Sequence, residues 1–104
     1  MTPRQQRIEQ LLNELQPSYL EVLDESHNHH VPENAQTHFK VTIVSPQFNG
    51  LRLLNRHQKI NTIVEEEFKS GMHALSIHAY TDEEWQKRQQ QSPRSPACRD
   101  GYAK

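Results

Sequence analysis

The chain predicts an α+β domain with element order αββαβα, a three-stranded mixed sheet with helices packed on one face. Three observations predict it. Ile8, Leu11, Leu12 and Leu15 fall at helical spacing near the start. From His38 the chain alternates strictly, with Phe39, Val41 and Ile43 facing one way and Lys40 and Thr42 the other. An amphipathic helix then leads into a third apolar strand, which makes a βαβ unit and a parallel pair joined by a right-handed crossover. Burying three amphipathic stripes on one sheet face is the simplest layering.

Taken in order, Thr2-Pro3 supplies a hydroxyl cap and a proline at the first helical position, and Pro17 stops that helix. Leu20 and Val22 alternate with polar neighbours from Ser18 to about Asp24, the pattern of a strand. Glu25 to Thr37 is a polar loop holding His27, His29 and His30, too long for a tight hairpin. The first two strands are therefore antiparallel across it. Ser45-Pro46 ends the second strand, and Gly50 supplies a turn. Leu51 to Leu54 forms a short turn before Asn55 caps a helix buried through Ile60, Ile63, Val64 and Phe68. Gly71 stops that helix. Ala74, Leu75, Ile77 and Ala79 form the third strand. Thr81-Asp82-Glu83-Glu84 is a capping box opening the last helix, anchored by Trp85. Residues 1–90 are expected to be the domain and 91–104, rich in Gln, Ser and Pro without apolar period, a flexible tail.

At 104 residues the chain builds one core. The hydrophobic fraction of 33% and mean hydropathy of -0.98 call for a small one. Net charge is -1, so any nucleic-acid binding must come from a local basic patch. No apolar run is long enough to cross a bilayer, and the N-terminus lacks a secretory pattern. The single Cys98 cannot pair internally, which favours a reducing, cytoplasmic setting. No nucleophile elbow or phosphate loop is present, and the acidic residues read mostly as solvated helix faces, so no enzyme is expected.

The chemistry concentrates in two places. In the helix starting at Asn55, Arg56, His57 and Lys59 occupy the first turns and Glu65, Glu66 and Glu67 the end. The macrodipole favours the opposite order by about 0.3–1 kcal/mol per charge. The free N–H groups with Arg52, Arg56 and Lys59 would suit a phosphate backbone or an acidic protein surface. Alternatively, Arg56 pairs with a carboxylate on the sheet and His57 is a packed ring. The second place is the set of seven histidines. His27, His29 and His30 could give two zinc ligands, with His38 or His73 completing a site, but no cysteine pairs with them. For His27, His30 and His78 ordinary imidazoles are the simpler reading. His73 follows the helix stop and shares a strand face with Leu75 and Ile77, at the rim of the core.

These residues resemble the BolA family across essentially the whole chain. The matching elements are Asp24-Glu25-Ser26, His29 before Val31-Pro32, His38-Phe39-Lys40-Val41 and Ser45. They continue with Phe48-x-Gly50, Arg56-His57, His73-Ala74-Leu75, Thr81, Trp85 and Ser95-Pro96-x-Cys98-Arg99, the last like the bacterial founding member. The resemblance implies a class II KH-like fold in the element order already read. It also implies pairing with a monothiol glutaredoxin, directly or through a shared [2Fe-2S] cluster. His73 and a loop residue aligning best with His29, with His38 as the alternate, would be the ligands on this side. Imidazole in place of thiolate raises the potential of an iron and makes ligation pH-sensitive. The resemblance implies, second, a DNA-binding regulator of stress response and cell shape. There the Gly50 turn and the following helix form a helix-turn-helix or KH-like surface, with phosphate contacts from Arg52, Arg56, His57 and Lys59. Gln58 stands where relatives often carry a further Arg. The leading expectation is the glutaredoxin partner, with the DNA-binding regulator as its alternative. No cofactor is expected in the isolated chain, which would be a monomer or weak homodimer.

Overall fold

The computed structural model describes residues 3–26 and 36–89. Thr2, the loop histidines His27, His29 and His30, and the tail with Cys98 lie outside the described residues.

Helix α1 (Pro3–Leu12) runs into a 3₁₀ turn at Asn13–Leu15, which ends at Gln16 in the left-handed region (φ 52°) just before Pro17. Strand β1 (Tyr19–Asp24) pairs antiparallel with β2 (His38–Val44), and β2 pairs parallel with β3 (Ala74–Tyr80), giving the sheet order β1-β2-β3. The crossover between β2 and β3 carries α2 (Leu53–Ile63) and α3 (Glu65–Lys69), and α4 (Asp82–Lys87) follows β3. Ile8, Leu12 and Leu15 pack with Val22, Phe39, Val41, Ile43, Phe48, Ile60, Val64, Met72 and Ala79 as one core. That core is the predicted helix-covered face.

On the opposite face, Val44 is fully buried and pairs with Tyr19 on one side and Tyr80 on the other. Trp85 stacks on Tyr19 at 5.1 Å and lies 5.3 Å from Tyr80, so α4 clamps the end of the sheet. The capping box forms as expected: Glu84 N–H donates to Thr81 Oγ1, and Thr81 N–H donates to the Glu84 carboxylate.

Four local expectations are corrected. Helix α2 begins at Leu53 with Arg52 as its cap residue, so Asn55 is its third residue rather than its cap. Leu53 and Leu54 are helical and 62% and 67% exposed. The helix also does not run on to Phe68. It breaks at Val64 (φ -102°, ψ 18°), after Thr62-Ile63-Val64, a β-branched run whose stiff side chains disfavour continuous helix. Glu65, Glu66 and Glu67 consequently stand in the first turn of α3, with Lys69 in its last, the order the dipole favours. Finally, Leu11 and Phe68 are exposed and take no part in the core.

Glu67 is not among the solvated acids. Glu67 is 4% exposed and receives Arg4 Nη1 at 2.7 Å and Arg7 Nε at 2.8 Å, tying α3 to α1. Hydrogen bonds from Arg7, ahead of the charges of both arginines, hold its carboxyl below the ordinary carboxylate value. Gly71, at φ 128°, permits this packing twice over, since a Cβ there would meet Arg4 Nη2 at 3.2 Å.

Candidate nucleic-acid and partner interface

Ser26 builds the stem of the histidine loop. Its hydroxyl oxygen accepts from Thr37 N–H (2.9 Å) and His38 N–H (3.1 Å), while its own N–H donates to Asp24 Oδ1. The parallel register sets His38 opposite Ala74, and His73 N–H donates to Thr37 O at 2.8 Å. The His38 and His73 rings therefore meet edge to face, with centroids 5.9 Å apart. Thr37 Oγ1 lies 2.7 Å from His38 Nδ1, and His73 is exposed. His73 lies at the rim, as expected, and His38, one of the two companions considered, lies beside it. His29 lies outside the described residues. Among the described residues no group of three or more His, Cys, Asp or Glu could hold a metal ion. An iron that took its remaining ligands from elsewhere would find two borderline-soft nitrogen donors here, on the exposed His73 and the half-buried His38.

The cations of the Gly50 turn divide into two kinds. Gly50 adopts φ 80°, and a Cβ there would meet nothing within 4 Å, so the turn needs glycine for its backbone alone. Arg56 is 5% exposed. Its guanidinium donates to Leu51 O (2.9 Å) and Ala79 O (3.1 Å) and bidentately to Glu84 (2.7 and 3.1 Å). It also lies over the Phe48 ring at 5.9 Å. The expected pairing of Arg56 with a carboxylate is thus found, on α4 rather than the sheet. Four of the five Arg56 N–H donors are engaged within the protein, which leaves little of the guanidinium for a phosphate. The hydrogen bond from Arg56, ahead of other causes, lowers the pKa of Glu84.

Arg52 and Lys59 are exposed and make no ion pair among the described residues. His57 is half-buried, and its charge acts on His78, whose pKa is lowered by burial first and then by Lys40, Arg88 and His57. Helix α2 contains no acidic residue. Arg56 and Ile60 turn inward while Asn55, Gln58, Lys59 and Thr62, at positions i, i+3, i+4 and i+7, form one exposed polar face. A groove of about 550 Å³ runs along that face, lined also by Gln47 and Glu14. A second groove of about 630 Å³ lies on the other flank, lined by Leu51, Arg52, Leu53, Tyr80, Lys87 and Arg88 among others. The start of α2 is therefore a ridge between two grooves. Sequence reasoning missed Tyr80, Lys87 and Arg88; the adjacent cations after Trp85 were visible, but their direction depends on how α4 turns back over the sheet.

The comparisons with known proteins agree with this architecture. A sequence profile described as BolA-like protein matches residues 11–84. The chain is similar to the DNA-binding transcriptional regulator BolA of Vibrio cholerae, 47% identical over 94 residues, covering 90% of this chain and 89% of that one. It is similar to the protein of the same description from Escherichia coli, 46% identical, covering 90% of each chain. Among solved structures, the solution structure of BolA1 from Mus musculus superposes with a TM-score of 0.82 at 36% identity, covering 94% of this chain and 80% of that one. Fold, motifs and relatives converge: the chain belongs to the BolA-like family.

Proposed function

We propose that this protein is a DNA-binding regulator that docks the exposed face of α2 against duplex DNA. The observation that carries the reading is the acid-free face Asn55, Gln58, Lys59 and Thr62 beside Arg52, which makes no ion pair among the described residues. Lysine and arginine supply phosphate contacts, and amide side chains can read base edges in a major groove that admits one helix. The descriptions of the two bacterial relatives support it. The reading carries a cytoplasmic location and a regulatory rather than enzymatic role with it.

Fluorescence anisotropy on a labelled duplex at increasing salt tests it. The logarithm of the association constant should fall linearly with the logarithm of salt concentration, and Arg52→Ala with Lys59→Ala should reduce that slope by about 2. A slope unchanged in the double variant contradicts the reading.

A second reading rests on a different observation, the His38–His73 pair at the loop stem. Here the protein partners a monothiol glutaredoxin, with His73 and either His38 or the loop residue His29 as ligands to a shared [2Fe-2S] cluster. When bound, such a cluster supplies one-electron redox chemistry whose potential histidine ligation raises. The chain's own contribution is to hold His73 through the Thr37 carbonyl and to orient His38 through the Thr37 hydroxyl. Adding the protein to a cluster-loaded glutaredoxin should change the visible circular dichroism, and His73→Ala should abolish the change. Retention of the full change in that variant removes His73 from the ligand set.

A further inference from the structure

The second groove has a composition that a duplex surface does not need. Its floor holds Leu51 and Leu53, and Leu53 is 62% exposed with no core role. Four cations, Arg52, Arg56, Lys87 and Arg88, line it. Lys87 reaches Glu83 only loosely, at 3.6 Å in an exposed pair. The single carboxylate of the lining, Glu84, is already taken by Arg56. The groove thus presents apolar surface and positive charge with its one acid neutralised. At its wall the Arg88 guanidinium lies over the Tyr80 ring at 5.3 Å.

We infer that this groove binds one or two unpaired nucleotides of a single-stranded nucleic acid. Bases rest on Leu51, Leu53 and the Tyr80–Arg88 stack, and phosphates lie against Arg52, Lys87 and Arg88. The charge complementarity is direct, because a cation-ringed slot on a chain of net charge -1 selects a local polyanion. Unpaired bases add what an acidic peptide lacks, a flat π-face for apolar side chains and guanidinium planes. Stacked bases within a duplex cannot enter a slot of this size. The inference goes beyond the duplex reading, with which it shares only Arg52.

The test is anisotropy of the full chain with three labelled probes: a short oligothymidylate, an abasic strand of equal length and a duplex. The oligothymidylate should bind about tenfold more tightly than the abasic strand. Leu53→Ser, at an exposed position that leaves the core intact, should weaken the oligothymidylate about tenfold while leaving the duplex unchanged. Equal binding of the oligothymidylate and the abasic strand overturns the inference, as does an unaffected Leu53→Ser. So does binding of a labelled acidic peptide with one apolar anchor where the oligothymidylate fails to bind. Because the duplex is measured in parallel, loss of duplex binding alone contradicts only the earlier reading.

Discussion

Arg56→Ala should lower the unfolding free energy by about 2–3 kcal/mol, read as a shift of the urea midpoint without loss of cooperativity. The side chain is 7% exposed and joins three elements: the end of the Gly50 turn through Leu51 O, the end of β3 through Ala79 O, and α4 through Glu84. Removing it leaves two carbonyls without their donor and frees α4 from the crossover. Breaking a fully buried ion pair costs about 3–5 kcal/mol, but Glu84 is 44% exposed and can turn to water, so the lower range applies. Arg56→Lys should recover little, because an ammonium cannot reproduce the bidentate contact with Glu84 while also reaching both carbonyls. Duplex affinity of the folded fraction should change far less than with Arg52→Ala. A variant as stable as the parent, or one that loses duplex binding while fully folded, contradicts this role.

Glu67→Gln should be comparably damaging, at about 2–3 kcal/mol, and should also change the acid limb of stability. The carboxylate accepts from Arg4 and Arg7 together, and the Arg4 side chain is 11% exposed, with a buried Nε that has no partner among the described residues. Without the charge, Arg4 stays largely buried and uncompensated. The pH dependence follows from the direction of the shift. The folded-state pKa of Glu67 lies below its ordinary 4.5, so its contribution is complete above that value and disappears as pH falls through the folded pKa. Urea midpoints measured from neutrality down to about pH 3 should show the parent losing this increment and the variant lacking that step. Parallel curves for the two proteins would show that Glu67 is not the group responsible.

Both sites show where the sequence could be read and where it could not. The periodicities were legible because each reports one element's own face: Phe39, Val41 and Ile43 could only be core, and Thr81 with Glu84 could only cap. A carboxylate partner for Arg56 was one of the two readings the sequence left open. Which one it found was not legible, because Glu84 reaches it only after α4 has folded back past the end of β3. Glu67 was misread for a similar reason. Three adjacent glutamates read as the end of the helix that begins near Asn55, yet the break at Val64 starts a new helix and turns the third of them towards α1. The histidine pair was half legible. His73 was placed at the rim by its spacing from Leu75, but its nearness to His38 depends on the parallel register of β2 and β3.

The direct measurement is an NMR titration of the isotopically labelled protein with duplex DNA, followed residue by residue. The account requires the largest shift changes at Arg52, Asn55, Gln58, Lys59 and Thr62, with Thr37, His38 and His73 nearly still. Changes centred instead on the paired imidazoles, with the acid-free helix unmoved, would contradict it.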